Sequence, residues 1–139
     1  SETASSMGGS QVFLQAGEVY KVEELLKGIA IASGNDAVVA MAEYVSGSVS
    51  EFVNLMNQRA QELGLSNTVF KNPHGLDAEG HYSSARDMSR IASELIKHEK
   101  ILEFTSIYED YLKKNDGSSV WLVNTNKVVF IFCNKINYC

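Results

Sequence analysis

Two apolar helical patterns meet at Ala30-Ile31-Ala32-Ser33-Gly34-Asn35-Asp36-Ala37, and this junction constrains the fold more than any other stretch. Before it, Val22, Leu25, Leu26 and Ile29 recur at helical spacing. After it, Ala37 to Val45 is apolar nearly all round, the pattern of a helix buried at the centre of a domain. Between the two stand a hydroxyl, a glycine and a carboxamide. Gly34 is expected to take the left-handed angles that end the first helix, and Asn35 or Asp36 to cap the second. The result is a sharp corner from which Ser33 and Asn35 project, with packed helices behind it as rigid support. A bare Ser-Gly-Asn tripeptide is by itself only a helix-loop-helix corner, so its meaning rests on what flanks it.

The rest of the chain reads as helices, one irregular stretch and a hairpin. Ser1 to Ser10, rich in Ser, Gly and Ala, reads as a loop, and Val12-Phe13-Leu14 as a short strand. Ser48-Val49-Ser50-Glu51 is a capping-box pattern. It opens a helix whose stripe is Val49, Phe52, Val53, Met56, Ala60 and Leu63, closed by Gly64. Asn57, Gln58, Gln61 and Glu62 fall on its solvated face. Asn67 to Gly80 is an irregular connection, with turn chemistry at Asn72-Pro73-His74-Gly75. Ser84-Ala85-Arg86-Asp87 opens another helix, with Met88, Ile91, Ala92, Leu95 and Ile96 as its stripe. Lys100 to Thr105 gives a short helical turn. Ser106 to Lys113 and Val120 to Val123 read as strands joined at Asn115-Asp116-Gly117, a hairpin signal.

Around the Ser33-Gly34-Asn35 corner stand Leu25-Leu26-Lys27-Gly28-Ile29, Asp36-Ala37-Val38 and Ala42-Glu43. Further on come Met56-Asn57, Ala60, Leu63-Gly64, Asn67-Thr68, Phe70, Asn72-Pro73-His74-Gly75-Leu76, His81-Tyr82-Ser83-Ser84-Ala85 and Asp87-Met88. This series closely resembles the low-molecular-mass penicillin-binding proteins, the serine-type D-alanyl-D-alanine carboxypeptidases, from about Ser6 to Lys127. The hairpin with Trp121 and Asn124-Thr125-Asn126-Lys127 resembles them too. In that family Ser-x-Asn is one of three catalytic motifs, and Ser33 and Asn35 match its two fixed positions. The other two are Ser-x-x-Lys, which carries the nucleophile, and Lys-Thr-Gly; neither occurs in these 139 residues. By family order the chain is expected to be the middle of such an enzyme.

The resemblance implies an α+β fold, mainly α with a small antiparallel β element. It would be an incomplete helical subdomain of the penicillin-binding-protein/β-lactamase-like fold. Residues 1–127 would form a partial carboxypeptidase domain, with a helical subdomain over about 20–105 and the hairpin over about 106–123. Residues 128–139 diverge, with an apolar run Val128 to Cys133, and look like foreign or frame-shifted sequence. The implied reaction removes the terminal D-alanine of a peptidoglycan stem peptide through a serine ester, and penicillins acylate the same serine. The Ser33 hydroxyl would relay a proton towards the leaving amine. The Asn35 carboxamide would hydrogen-bond substrate and a catalytic lysine. A serine without an activating base is unreactive, and loss of the nucleophile costs on the order of 10⁶ in turnover in another serine hydrolase. This chain alone is therefore expected to be inactive. A catalytically dead helical module that binds a peptide or a partner protein is the alternative.

Composition narrows the remaining classes. A formal net charge of −5 argues against a nucleic-acid groove. No apolar run reaches bilayer length, and the first residues do not form a signal peptide; the resemblance still implies an exported, extracytoplasmic enzyme. No cofactor is expected. His74 and His81 have no carboxylate or cysteine spaced to complete a metal site, and Cys133 and Cys139 do not form a zinc pattern. Those two cysteines would either close a small loop or remain thiols. An apolar face left open where further parts of the enzyme should pack would favour homo-oligomers.

Overall fold

In the computed structural model, which describes residues 1–127 and Val129, serine side chains cap the starts of three helices. The order is α1 (Glu2–Ser5), α2 (Val22–Ala32), α3 (Asn35–Ser46), α4 (Val49–Glu62), α5 (Ala85–Leu95), α6 (Glu99–Thr105), β1 (Glu109–Lys113) and β2 (Ser119–Val123). The architecture is mainly α with a two-stranded antiparallel sheet, as expected. Apart from Val129, the tail expected to diverge lies outside the described residues, as do both cysteines. Contacts divide the chain into two units: residues 1–40 with the described residues from Lys100 onward, and Met41–Glu99.

The first unit is built on α2 and the hairpin. Leu25, Gly28 and Ile31 are the buried residues of α2, a stripe at three-residue spacing that faces inward as α-helix geometry dictates. At Gly28 an added Cβ would stand 3.2 Å from Val12 and 3.3 Å from Leu112, so a side chain there would intrude on the core. Leu112 and Leu122 are the fully buried residues of the hairpin, and Phe104 of α6 joins them. The strands pair Tyr111 with Trp121 and Leu112 with Val120. Gly117 supplies the positive φ that the hairpin turn needs. Lys114 anchors that turn: its ammonium donates to the Phe13 carbonyl at 3.3 Å and pairs with Glu18 at 3.4 Å. Lys27 ties α2 to β1 through Asp110 at 2.8 Å.

Two expectations about the start of the chain are corrected. Ser1 to Ser10 is not all loop: Ser1 Oγ accepts the Ala4 N–H and caps the short α1. Val12-Phe13-Leu14 is not a strand. Phe13 has φ 58°, which breaks an extended run, and the N–H groups on either side of it find a carboxylate instead of a neighbouring strand.

In the second unit the capping signals hold. Ser48 and Ser84 accept the N–H of Glu51 and Asp87. Past Leu63, Gly64 takes φ 68°, and Leu65 N–H returns to the Ala60 carbonyl at 2.9 Å, a Schellman closure. Asn57, expected on a solvated face, is half-buried. Its amide donates to the Phe70 carbonyl at 2.8 Å and accepts the Phe70 N–H at 2.9 Å, so it holds the irregular connection as a strand partner would. A single bridge, Val69 to Tyr82, ties that connection together. His74 and His81 each accept a backbone N–H through Nδ1, from Leu76 and Lys71.

Apolar surface is left open. In α5, Met88 and Leu95 of the expected stripe are 50% and 46% exposed, and the next residue, Ile96, is 57% exposed. The expectation that the helix after the corner is buried throughout is also corrected. α3 begins buried at Asp36, Ala37 and Val39 but ends with Tyr44 and Val45 exposed. An open apolar hollow of about 350 Å³ lies among Phe52, Met56, Ala60, Leu65, Phe70 and Ile91.

Candidate active site

The corner between α2 and α3 is formed as expected, but by a different residue. Ser33, not Gly34, is left-handed, with φ 54° and ψ 37°. Its N–H closes on Ile29, and Gly34 N–H reaches back to the Gly28 carbonyl at 3.1 Å. Glycine is required at position 34 for space instead. A Cβ there would lie 2.9 Å from Val12 Cγ1, closer than real contacts allow, and 3.1 Å from Asp36 Oδ1, a tight contact.

Neither Asn35 nor Asp36 serves as the expected cap residue before α3; both are within it. Asn35 points its N–H at the Ser10 carbonyl and its side-chain Nδ2 at the Gly8 carbonyl, each at 2.8 Å. Asp36 is 1% exposed. Its carboxylate accepts the N–H of Val12 at 3.0 and 3.2 Å, of Leu14 at 2.9 Å and of Ala37 at 2.9 Å. The positive N-terminal end of α3 favours that negative charge. The hydrogen bonds that strap residues 8–14 to the corner therefore all use backbone groups of that segment, which explains why it needs no strand partner.

Ser33 is exposed. Its Oγ lies 2.9 Å from Thr125 Oγ1, across 92 residues of chain. Asn35 is buried, at 7% exposure. The two sequence-predicted site residues thus flank one glycine, but they differ in setting: Ser33 offers its hydroxyl outward, and Asn35 spends one of its two amide hydrogens on Gly8. The second amide hydrogen and the carbonyl oxygen remain in its hydrogen-bonding repertoire. The partner of Ser33 is another hydroxyl and not a base, and a serine hydroxyl without an activating base is a weak nucleophile.

Sequence reasoning did not single out Thr125, Asn124 or Asp36 for the site. Asn124 Nδ2 donates to the carbonyls of Thr105 at 3.2 Å and Ile107 at 2.7 Å. Its N–H goes to Tyr108, and the next residue's, Thr125, to Ile31. The available signals were an acid directly after the Ser-x-Asn element and the repeated amides of Asn124-Thr125-Asn126. Among the described residues, no group of three or more His, Cys, Asp or Glu side chains is arranged to hold a metal ion.

Residues 1–137 match a peptidase family described as D-alanyl-D-alanine carboxypeptidase. The D-alanyl-D-alanine carboxypeptidase DacF of Bacillus subtilis is 64% identical over 129 residues, 93% of this chain and 33% of that protein. DacC of Escherichia coli is 42% identical over 126 residues, 86% of this chain and 31% of that protein. Among solved structures, penicillin binding protein 5 from Haemophilus influenzae gives a TM-score of 0.83 at 36% identity, covering 94% of this chain and 38% of that one. The carboxypeptidase DacD from Francisella tularensis gives 0.80 at 36% identity, covering 86% and 29%. The chain spans about a third of the length of these curated relatives. In sequence and in fold alike, it belongs to the D-alanyl-D-alanine carboxypeptidase family.

Proposed function

We propose that this chain is the Ser-x-Asn-bearing portion of a serine-type carboxypeptidase that removes the terminal D-alanine from peptidoglycan stem peptides. A nucleophilic serine on another segment of that enzyme attacks the carbonyl between the two D-alanines and gives its proton to a neighbouring lysine. The C–O bond of the acyl-enzyme forms, and the C–N bond breaks. Ser33 passes a proton to the departing amine and is reprotonated from the lysine, so the nucleophile's proton ends on the released D-alanine. Asn35 orients substrate and lysine with its remaining amide hydrogen and carbonyl oxygen. Water then releases the acyl group. β-Lactams acylate the same nucleophile, and the enzyme works on the outer side of the cytoplasmic membrane. Among the described residues, no helix is long and apolar enough to cross a membrane. The exposed apolar side chains of α5 also support self-association of the isolated chain, for which light scattering is the test.

The observation that carries the reading is the exposed Ser33 hydroxyl, held by Thr125 at 2.9 Å and one residue from a tethered Asn35. Fluorescent penicillin tests it. The 139-residue chain, without Ser-x-x-Lys, takes up no SDS-stable label, whereas the complete enzyme does. In the complete enzyme Ser33→Ala slows acylation about 100-fold or more, the scale of positioned acid–base catalysis. Covalent labelling of this chain alone, or an unchanged rate in Ser33→Ala, overturns the assignment.

A further inference from the structure

We infer that Thr125 is a positioning residue for the Ser33 proton relay: its hydroxyl donates to Ser33 Oγ, which leaves the Ser33 proton free for the departing amine. The inference rests on the carboxypeptidase reading and extends it to a residue outside the Ser-x-Asn element.

The geometry of Ser33 is unusual for a serine at a helix end. Such serines commonly turn back on the carbonyl four residues earlier. Ser46 does so with Ala42 at 2.8 Å, and Ser93 with Ser89 at 2.8 Å. Ser33 is left-handed, and its Oγ meets Thr125 Oγ1 at 2.9 Å.

Thr125 is held for that contact by its backbone and by its neighbours. Its N–H bonds the Ile31 carbonyl at 3.1 Å. On one side Asn124 is pinned through its N–H to Tyr108 at 2.8 Å and through its amide to Thr105 and Ile107. On the other, Asn126 N–H closes on Asn124 Oδ1 at 2.9 Å. The Thr125 side chain is itself exposed, so core packing does not account for its position.

Hydroxyl arithmetic sets the direction. The pair shares one hydrogen between two oxygens, and each hydroxyl brings a single hydrogen. If Ser33 donated to Thr125, it would have none to give the leaving group. With Thr125 as donor, Ser33 Oγ–H points outward. As that proton departs, the charge growing on Ser33 Oγ strengthens the bond from Thr125, so the contact is worth more in the transition state than before it. No bond to Thr125 forms or breaks, and it exchanges no proton.

The test compares Thr125→Val and Thr125→Ser in the complete carboxypeptidase. The two substrates are a D-alanyl-D-alanine peptide and the matching D-alanyl-D-lactate ester. An amide needs its leaving nitrogen protonated; the ester oxygen leaves with far less help. Thr125→Val is expected to lower kcat/KM on the amide by about 10- to 100-fold, as befits a hydrogen bond to a developing charge. The ester should lose only a few-fold by the same argument, and Thr125→Ser should restore the amide rate. A purely structural role would depress both substrates alike. Equal losses, or no loss on the amide, overturn the inference while leaving the carboxypeptidase reading intact. No turnover of either substrate by the unsubstituted enzyme overturns that reading, and the inference with it.

Discussion

Asp36 grips the backbone N–H of Val12 through both carboxylate oxygens, at 3.0 and 3.2 Å. The same carboxylate takes the Leu14 N–H at 2.9 Å. One buried charge thereby replaces the strand that residues 12–14 never form. Because Asp36 follows Asn35 directly, the carboxylate that fixes the strap and the carboxamide tethered to Gly8 share the first turn of α3. Hydrogen bonds to a charged acceptor in a buried site are the strong kind.

Replacing that acceptor is expected to be costly. In Asp36→Asn the carboxamide has one oxygen instead of two, and its NH₂ faces a backbone donor. At least one N–H among Val12, Leu14 and Ala37 is left without a partner, for a loss of about 2–3 kcal/mol. Urea unfolding measures the loss, and amide exchange should speed up at Val12 and Leu14 first. Unchanged protection at those two amides would rule out the strap as described.

Gly34→Ala tests space and not backbone freedom, since the left-handed residue is Ser33. The new methyl would meet Val12 Cγ1 at 2.9 Å. Overpacking of this sort costs about 1–3 kcal/mol. Val12→Ala removes the obstructing methyl, so the double variant should lose less than the two single losses added together, by 0.5 kcal/mol or more on the usual scale of about 0.5–3 kcal/mol for touching residues. Strict additivity would place the clash elsewhere.

What the sequence made legible was local. Ser48, Ser84 and Gly64 announced helix ends because a cap needs only the next few residues. Asn115-Asp116-Gly117 announced its turn for the same reason. The corner at Ser33 was legible as a corner. Its left-handed residue was not, because the glycine at position 34 serves for space beside Val12 and Asp36, a contact no periodicity encodes. Thr125 stayed hidden because 92 residues separate it from Ser33. Asn57 was misplaced on the solvated face because its partner, Phe70, lies in an irregular stretch without a pattern to read. The open stripe of α5 could be read as apolar but not as uncovered: periodicity shows which face wants burial and not what arrives to bury it.

The Lys27–Asp110 pair gives a pH signature. The hydrogen bond it donates to the Asp110 carboxylate raises the Lys27 ammonium above its ordinary value. Burial pushes the Asp110 carboxyl up, but the Lys27 hydrogen bond and the Tyr111 N–H more than offset this, and it ends below its ordinary value. A depressed carboxyl stabilises the fold above its unfolded pKa, about 3.9, and that contribution fades as the pH falls through the lower folded value. A raised lysine contributes fully below about 10.4 and is lost as the pH rises through its folded value. The pair therefore stabilises across the range between those limits. Lys27→Met should cost up to about 1 kcal/mol at pH 7, as for a partly screened pair. The gap to the unsubstituted chain should narrow in acid below the ordinary aspartate range. A gap that stays constant down to pH 2, on the same titration argument, would mean the lysine acts through packing alone.

In the second unit Asp87 repeats the device found at Asp36. It is 1% exposed, and its carboxylate accepts Asn67 N–H at 2.8 Å and the Thr68 hydroxyl at 2.9 Å. Thr68 in turn lies 2.8 Å from the Ser83 hydroxyl. One acid in the first turn of α5 thus holds the start of the connection that Asn57 and the Val69–Tyr82 bridge hold further along. Asp87→Ala orphans two donors and is expected to cost about 2–3 kcal/mol, while Thr68→Val removes one neutral donor and should cost about 1 kcal/mol. Because both act on one hydrogen bond, the double variant should lose less than the sum of the two. Urea unfolding of the four proteins measures the cycle. If Thr68→Val proved as costly as Asp87→Ala, the connection would be held through the hydroxyl pair with Ser83, and the carboxylate would be secondary.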